Sequence, residues 1–247
     1  MLILLACSEN IPAQTHRPRF KVIVLAEHGG LHAPFVEAAK VWLHKLAADS
    51  NFVVDYIENT DKINDAFLAN YQLFIQLNYP PYNWTDTAKE AFIKYITNGK
   101  GGWIGFHHAT LLGEFDGFKM WDWFYKFMGN IRFKNYIPDF EAAVVNVEDK
   151  NHPCMKGVPA AFVVTKDEWY TYDADPRPNV HVLASVDEAT YTPDTTSIKM
   201  GDHPVVWTNE NYKARNIYIF MGHHPNLFEN AAYKTLFRNA IFWAASK

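Results

Sequence analysis

The chain has 247 residues, 49% apolar and 20% charged, the composition of an ordinary globular protein long enough to bury a sizeable core. Lys and Arg number 23 against 27 Asp and Glu, a formal net charge of −4 with no basic run, which excludes a nucleic-acid surface and charge-driven membrane binding. Two cysteines, Cys7 and Cys154, exclude a disulfide framework and a Cys-based zinc site.

No stretch approaches the roughly 18–20 apolar residues of a membrane span. The start is open to two readings. Leu4-Leu5-Ala6-Cys7 is similar to the end of a bacterial lipoprotein signal, with Cys7 carrying a lipid anchor and residues 1–20 serving as signal remnant and tether. That reading places the protein at the cell envelope or in the periplasm. The other reading is a short apolar strand packed on the domain of a cytoplasmic protein.

From Lys21 the chain alternates strand and helix. Lys21–Ala26 is a buried strand, and Glu27-His28-Gly29-Gly30-Leu31-His32 is a loop. Pro34 opens a helix whose apolar stripe is Phe35, Val36, Ala39, Leu43, Leu46 and Ala47. Strands follow at Phe52–Ile57 and Tyr71–Leu77, the latter ending in Asn78. Thr85, Asp86 and Thr87 all offer caps, and Thr87 with Glu90 has capping-box spacing, for a helix buried through Ala88, Ala91, Phe92, Tyr95 and Ile96. Trp103–Phe106 is a strand that delivers His107 and His108. This alternation predicts a parallel sheet covered on both faces. Lys119–Met128 reads as a helix. Strands at Phe140–Val147, Ala161–Thr165, Val180–Val186, Pro204–Thr208 and Asn216–Met221 read as antiparallel additions. Asn230–Ala245 closes the chain as a helix. No domain boundary interrupts residues 21–247.

A dinucleotide fingerprint, a Walker A loop, H-E-x-x-H and G-x-S-x-G are all missing, so no nucleotide cofactor is expected. Four His-bearing segments stand out instead: 27–32, Gly105–Ala109, Asp202-His203-Pro204 and Gly222–Pro225. Three follow predicted strands, where open α/β sheets bind ligands. Imidazoles gathered there form either a divalent-metal site, zinc or similar, or an acid/base pair. His28, His107 and His223 are the candidate ligands, with Glu27, Asp116, Glu168 and Asp202 as carboxylate options. In each His-His pair the two rings are expected to diverge, one of them structural. His203 and His152, each before a proline, read as turn and loop residues. Glu168-Trp169-Tyr170 mixes an acid with aromatics, as sugar sites do; the alternative is rings packed under the sheet rim.

Read in order, these motifs resemble the ThuA-like (trehalose-utilisation) family. The residues that carry the resemblance are Gly101-Gly102-x-x-Gly105-x-His107, His152-Pro153 with Lys156-Gly157-Val158-Pro159, Asp167-Glu168-x-Tyr170, and Gly222-His223 before a helix ending Phe242-Trp243-Ala244. The resemblance runs from about Lys21 to Ala245. It implies an α/β fold, a three-layer α/β/α sandwich of flavodoxin-like, class I glutamine amidotransferase-like type, with a mostly parallel central sheet and antiparallel additions. His107 stands where an amidotransferase carries its nucleophilic cysteine, and His224-Pro225-Asn226 has Asn where the acid would be. Thiol amidotransfer is therefore not expected. The family is associated with sugar catabolism through keto sugars.

Two functions follow as expectations. One is an enzyme acting on a glycoside or keto sugar, with His107, Glu168 and His223 catalytic and His32, Asn78, His108, Trp169, Tyr170 and His224 binding substrate. The other is a non-catalytic carbohydrate-binding module of the cell envelope. A small-molecule sugar is the expected partner in both; an interaction scaffold working through the Trp121 region is a weaker third reading, and oligomerisation is left open.

Overall fold

The structure, a computed structural model, describes residues 17–193 and 197–246, so Cys7 and the two readings of the N-terminus lie outside the described residues. The first half is βαβ in pattern. Lys21–Ala26 (β1), Ala33–Ser50 (α1), Val53–Ile57 (β2), Asp65–Leu68 (α2), Leu73–Leu77 (β3), Asp86–Thr97 (α3) and Gly102–Phe106 (β4) follow in order. The second half adds Asp122–Phe127 (α4), Phe133–Tyr136 (β5), Glu141–Val147 (β6), Ala161–Asp167 (β7), Tyr170–Tyr172 (β8), His181–Thr192 (β9), Pro204–Thr208 (β10), Asn216–Ile219 (β11) and Ala231–Ala245 (α5).

Nine strands form one sheet in the order β2-β1-β3-β4-β11-β10-β9-β6-β7. The pairs from β2 to β11 are parallel, and those from β11 to β7 are antiparallel. Parallel strands lie between helical layers and so read as continuous apolar runs. β3, β4 and β11 are buried at every residue, and β4 shows how the layers form. Successive side chains of a strand point to opposite faces. Trp103 meets Phe124 and Phe127 of α4 on one face, and Phe106 meets Phe35 of α1 and Phe237 of α5 on the other. Gly102 is glycine for a packing reason, since a Cβ there would lie 2.1 Å from the Ala244 carbonyl oxygen of α5.

Several elements differ from the sequence expectation. Of the three candidate caps of α3 it is Thr85 that serves, its hydroxyl accepting from the Ala88 N–H, so the capping-box spacing of Thr87 and Glu90 is not used and Thr87 falls inside the first turn. The helix expected over 119–128 is confined to Asp122–Phe127, because Phe118 is tied back to Phe115 and Trp121 packs on Trp84 before the first turn begins. β9 runs on to Thr192 past the apolar run ending at Val186, because the polar stretch beyond keeps pairing with β6 (Asp187 with Val144, Thr192 with Ala142). The short ribbon of β5 and β8 gave no apolar run to read. Among the described residues no helix is long and apolar enough to cross a membrane.

Candidate metal and catalytic centre

The strand order reverses between β1 and β3, and the crevice at the carboxyl edge there is where such sheets bind ligands. β1 delivers Glu27 and the loop to His32. β3 delivers Asn78, β4 delivers His107 and His108, and β11 leads to Gly222 and His223. The fifth contribution comes from the antiparallel half, where β7 ends at Asp167 and Glu168 follows.

Four imidazoles face one another across this edge. The ring of His32 lies 3.9 Å from that of His108, 4.0 Å from His223 and 5.1 Å from His107, centroid to centroid. Glu168 Oε2 is 3.1 Å from His107 Nε2 and 3.3 Å from His223 Nδ1. On the other side Glu27 Oε2 is 3.2 Å from His108 Nδ1 and 3.6 Å from His32 Nδ1. Two overlapping donor groups result: His32, His107, Glu168 and His223, and Glu27, His32 and His108. Within each, one donor atom per residue lies within 4.8 Å of the others.

The backbone beneath is held firmly. His107 has φ of 38°, a left-handed conformation that costs a non-glycine residue on the order of 1–3 kcal/mol. Its carbonyl accepts from the Thr110 and Tyr218 hydroxyls, both at 3.0 Å, which offsets that cost. Asp167 accepts the N–H groups of Gly222, His223 and His224 at 3.0–3.1 Å and so fixes the loop that presents His223. Asn78 donates to the Gly222 carbonyl. Gly222 has to be small, since a Cβ there would come within 2.9 Å of the His107 Cβ.

Burial decides the charge states. It lowers His107 to about 4, against the pull of Glu168. It lowers His32 strongly, and the neighbouring His108, His107 and His223 add to the effect. Burial would raise Glu168, but the hydrogen bonds of His107 and His223 outweigh it and hold the carboxylate well below its usual range. Burial also raises Asp167 to about 7, opposed by His223 and the three backbone N–H groups. At neutral pH His32 and His107 are thus uncharged, the form in which imidazole offers a lone pair. Three buried atoms here have neither a hydrogen-bond nor an ion-pair partner: His32 Nε2, His107 Nδ1 and Asn78 Oδ1. Each such atom costs about 1–3 kcal/mol when nothing answers it.

The expected site residues are not all brought together. His28 stands apart, 75% exposed and 3.4 Å from Glu58, and His32 takes its place in the group. The Gly29-Gly30 turn, both residues at positive φ, separates them. His107 and His108 do not diverge; their rings lie 5.5 Å apart at 24°, because a 3-10 turn over His107–Thr110 keeps both on the same side. His223 and His224 do diverge: His224 Nδ1 accepts from the Asn226 N–H and caps the turn after it. Trp169 is fully buried, stacked on Phe220 and donating to the Glu141 carbonyl, so it has no face for a sugar. Tyr170 covers the ring of His107 at 4.4 Å. Among the carboxylate options, Asp116 lies in an exposed turn and Asp202 pairs with Arg177. His203 is buried against Glu188, and His152 caps a short turn. Asp167 was not singled out as a functional residue, although it stands one position before Glu168 in a quoted motif. Glu27, the last polar residue before the first His-rich loop, was only one option of four.

The sequence profile of the ThuA family, described as trehalose utilisation, matches residues 21–244. The crystal structure of a ThuA-like protein from Bacteroides uniformis is similar to the chain with a TM-score of 0.81 at 32% identity, over 96% of each chain. A ThuA-like protein from Parabacteroides merdae has a TM-score of 0.63 at 20% identity, over 93% of this chain and 90% of its own, and shares the fold. The carbohydrate deacetylase Agd3 has a TM-score of 0.55 at 11% identity over 91% of this chain and 32% of its own, a likeness of fold alone. A search of curated protein sequences finds no match.

Proposed function

The chain belongs to the ThuA, trehalose-utilisation, family, and from that premise we propose that it is an enzyme acting on a glycoside or keto sugar at a divalent-metal centre. The observation that carries the proposal is the convergence of His32, His107, Glu168 and His223 on one point with buried nitrogens left unpartnered. An acid/base pair alone leaves His32 Nε2 and His107 Nδ1 unanswered, whereas a cation draws one lone pair from each of the four residues. Three imidazoles and a carboxylate suit zinc or a similar borderline ion. Such an ion, when bound, draws electron density from a carbonyl oxygen and so acidifies the neighbouring C–H.

In this reading His32, His107, Glu168 and His223 hold the ion. Glu27 orients His32 and His108 through its Oε2 and, as the more exposed carboxylate, takes the proton from carbon at its other oxygen, Oε1. Tyr170 and Asn78 keep water from the inner side. The binding-module reading draws little support, because Trp169 is sealed and a binding platform has no use for unpartnered nitrogens.

Elemental mass spectrometry of the purified protein tests the proposal. We expect about one divalent ion per chain, lost in His107→Ala, together with loss of turnover of oxidised trehalose by about 10²-fold or more. A wild-type protein that stays metal-free after equilibration with zinc overturns the metal centre. Full turnover by folded His107→Ala overturns the assignment of His107.

A further inference from the structure

The amino edge of the parallel strands carries a concentration of positive charge that the proposed centre does not use. β3, β4 and β11 all start there, so it lies a strand length away from His107 and His223. Three segments meet at this edge: the turn 98–102 between α3 and β4, residues 213–215 before β11, and the end of α5. The Trp103 N–H donates to the Arg215 carbonyl and the Ala214 N–H to the Ile96 carbonyl, which ties the first two together. Gly99, at φ of 66°, lets Lys213 lie against the turn, since a Cβ there would come within 3.1 Å of the Lys213 Cβ. Between the three segments is a cavity of about 570 Å³, the size of a small-molecule pocket.

Lys100, Lys213 and Arg215 line this cavity, and no carboxylate does. Among the described residues none of the three pairs with a carboxylate, although the chain has more carboxylates than cations. The three come from separate segments, so no basic run in the sequence announces them. Like charges gathered in a cleft focus the potential on whatever enters it.

The donors are also prepared for an oxyanion. Arg215 is fixed through Nη1, which donates to the Trp243 carbonyl at 3.0 Å and to the Ser246 hydroxyl, and its guanidinium lies over the Trp243 ring at 5.8 Å. Its Nε and Nη2 have no partner among the described residues. That edge of a guanidinium is the fork that takes two oxygens of a phosphate or carboxylate. The Gly101 N–H is likewise without an acceptor, while those of Lys100 and Gly102 are taken by the carbonyls of Tyr95 and Gln72. Ala69, Ala214, Ala244 and Ala245 complete the wall and leave room for a small organic group. Three cations beside one another call for more than one negative charge, which favours a phosphate over a carboxylate.

We propose that this cavity binds a phosphate dianion, free or as a monoester of a small organic molecule, with Arg215 as the fork and Lys100 and Lys213 as point charges. The site stands apart from the centre at the carboxyl edge and does not depend on the function proposed for it.

Calorimetric titration of the full chain in phosphate-free buffer at fixed ionic strength tests it, with inorganic phosphate and phenyl phosphate as probes. Wild type is titrated beside His107→Ala, so that an oxyanion held at the carboxyl edge is told apart. Both proteins are expected to bind about one phosphate per chain with a dissociation constant of about 1 mM or tighter. Arg215→Gln should weaken binding by about tenfold and Lys213→Gln by about threefold, whereas Lys45→Gln, the same charge change on α1, should leave it unchanged. Circular dichroism checks that each variant folds, and Lys213→Gln carries the test if Arg215→Gln does not. Tighter binding of phenyl phosphate identifies the ester as the ligand; equal affinities identify free phosphate. No saturable binding of either probe to wild type overturns the site. So does binding that is lost in His107→Ala, that keeps full affinity in the folded cavity variants, or that weakens equally in Lys45→Gln.

Discussion

Two charged clusters of this protein use similar residues to opposite ends. At the carboxyl edge of the parallel strands, four imidazoles and two carboxylates crowd together with buried nitrogens of His32 and His107 unanswered. In the antiparallel half, Arg177 reaches Glu148 at 2.7 Å and Asp202 at 2.6 Å, and His181 lies between Asp149 at 3.2 Å and Glu210 at 2.9 Å. The second cluster alternates sign and stays partly in water, so each group has its counterpart within the protein. The first gathers acceptors and lone pairs behind a wall of buried rings. A network complete in itself ties strands and loops together. A network that is incomplete, and is held that way by Asp167, Asn78 and a strained His107, is what the proposed metal centre would require.

That contrast can be broken or sharpened by experiment, and the largest effect is expected at Glu168. Glu168→Gln removes the one carboxylate shared by His107 and His223, and zinc affinity measured by competition with a chelator should fall by about 10²-fold or more. Unchanged affinity would mean that the ligand set is wrong. Asp167→Asn comes next. It keeps the size but sets an amide against three N–H donors, so affinity should fall about 10- to 100-fold and stability by about 1–3 kcal/mol in denaturant unfolding. A variant as stable as wild type would show that the loop of His223 is held by other contacts.

A pH series on metal-free protein tests the charge states. His107 is lowered from 6.5 to about 4 in the folded protein, so between those values the unfolded chain binds the extra proton. The stabilising contribution of the neutral ring is present above pH 6.5 and is lost as pH falls toward 4, by up to about 3 kcal/mol for this one group. Zinc should shift the same curve upward at neutral pH, by about 2.7 kcal/mol at a hundred times its dissociation constant. Asp167, raised to about 7, contributes with the opposite sign over the same window, so the effect is read as the difference between wild type and His107→Asn; a difference that is flat between pH 7 and 4 would contradict a buried neutral His107. The smallest effect belongs to the self-contained cluster. Arg177→Ala should cost about 1 kcal/mol or less, because its ion pairs are half in water, and should leave metal content unchanged. A loss of metal there would join two regions that the structure keeps apart.

Much of this was legible from residue order. The apolar runs at 21–26, 71–77 and 103–106 and the helical stripe of α1 mark buried parallel strands and their covers, because periodicity reports directly which side of an element leaves water. The His-rich loops sit just beyond those runs, so chain order alone puts them at one edge. The β5 and β8 ribbon was not legible, since neither partner carries an apolar run and each forms only against the other.

Sequence by itself therefore determined the α/β layering, the family, and the segments that reach the site. Only the tertiary structure decided which ring of each segment points inward. His32 rather than His28 enters the centre, both His107 and His108 enter together, and His224 turns away to cap its own loop. Glu27 and Glu168 were chosen from four acids in the same way, and Trp169 was sealed while Phe118 and Tyr136 stayed open. The reason is physical. A loop side chain has no periodicity to fix its direction, so its orientation is set by local φ and ψ and by partners that arrive from strands far away in the chain.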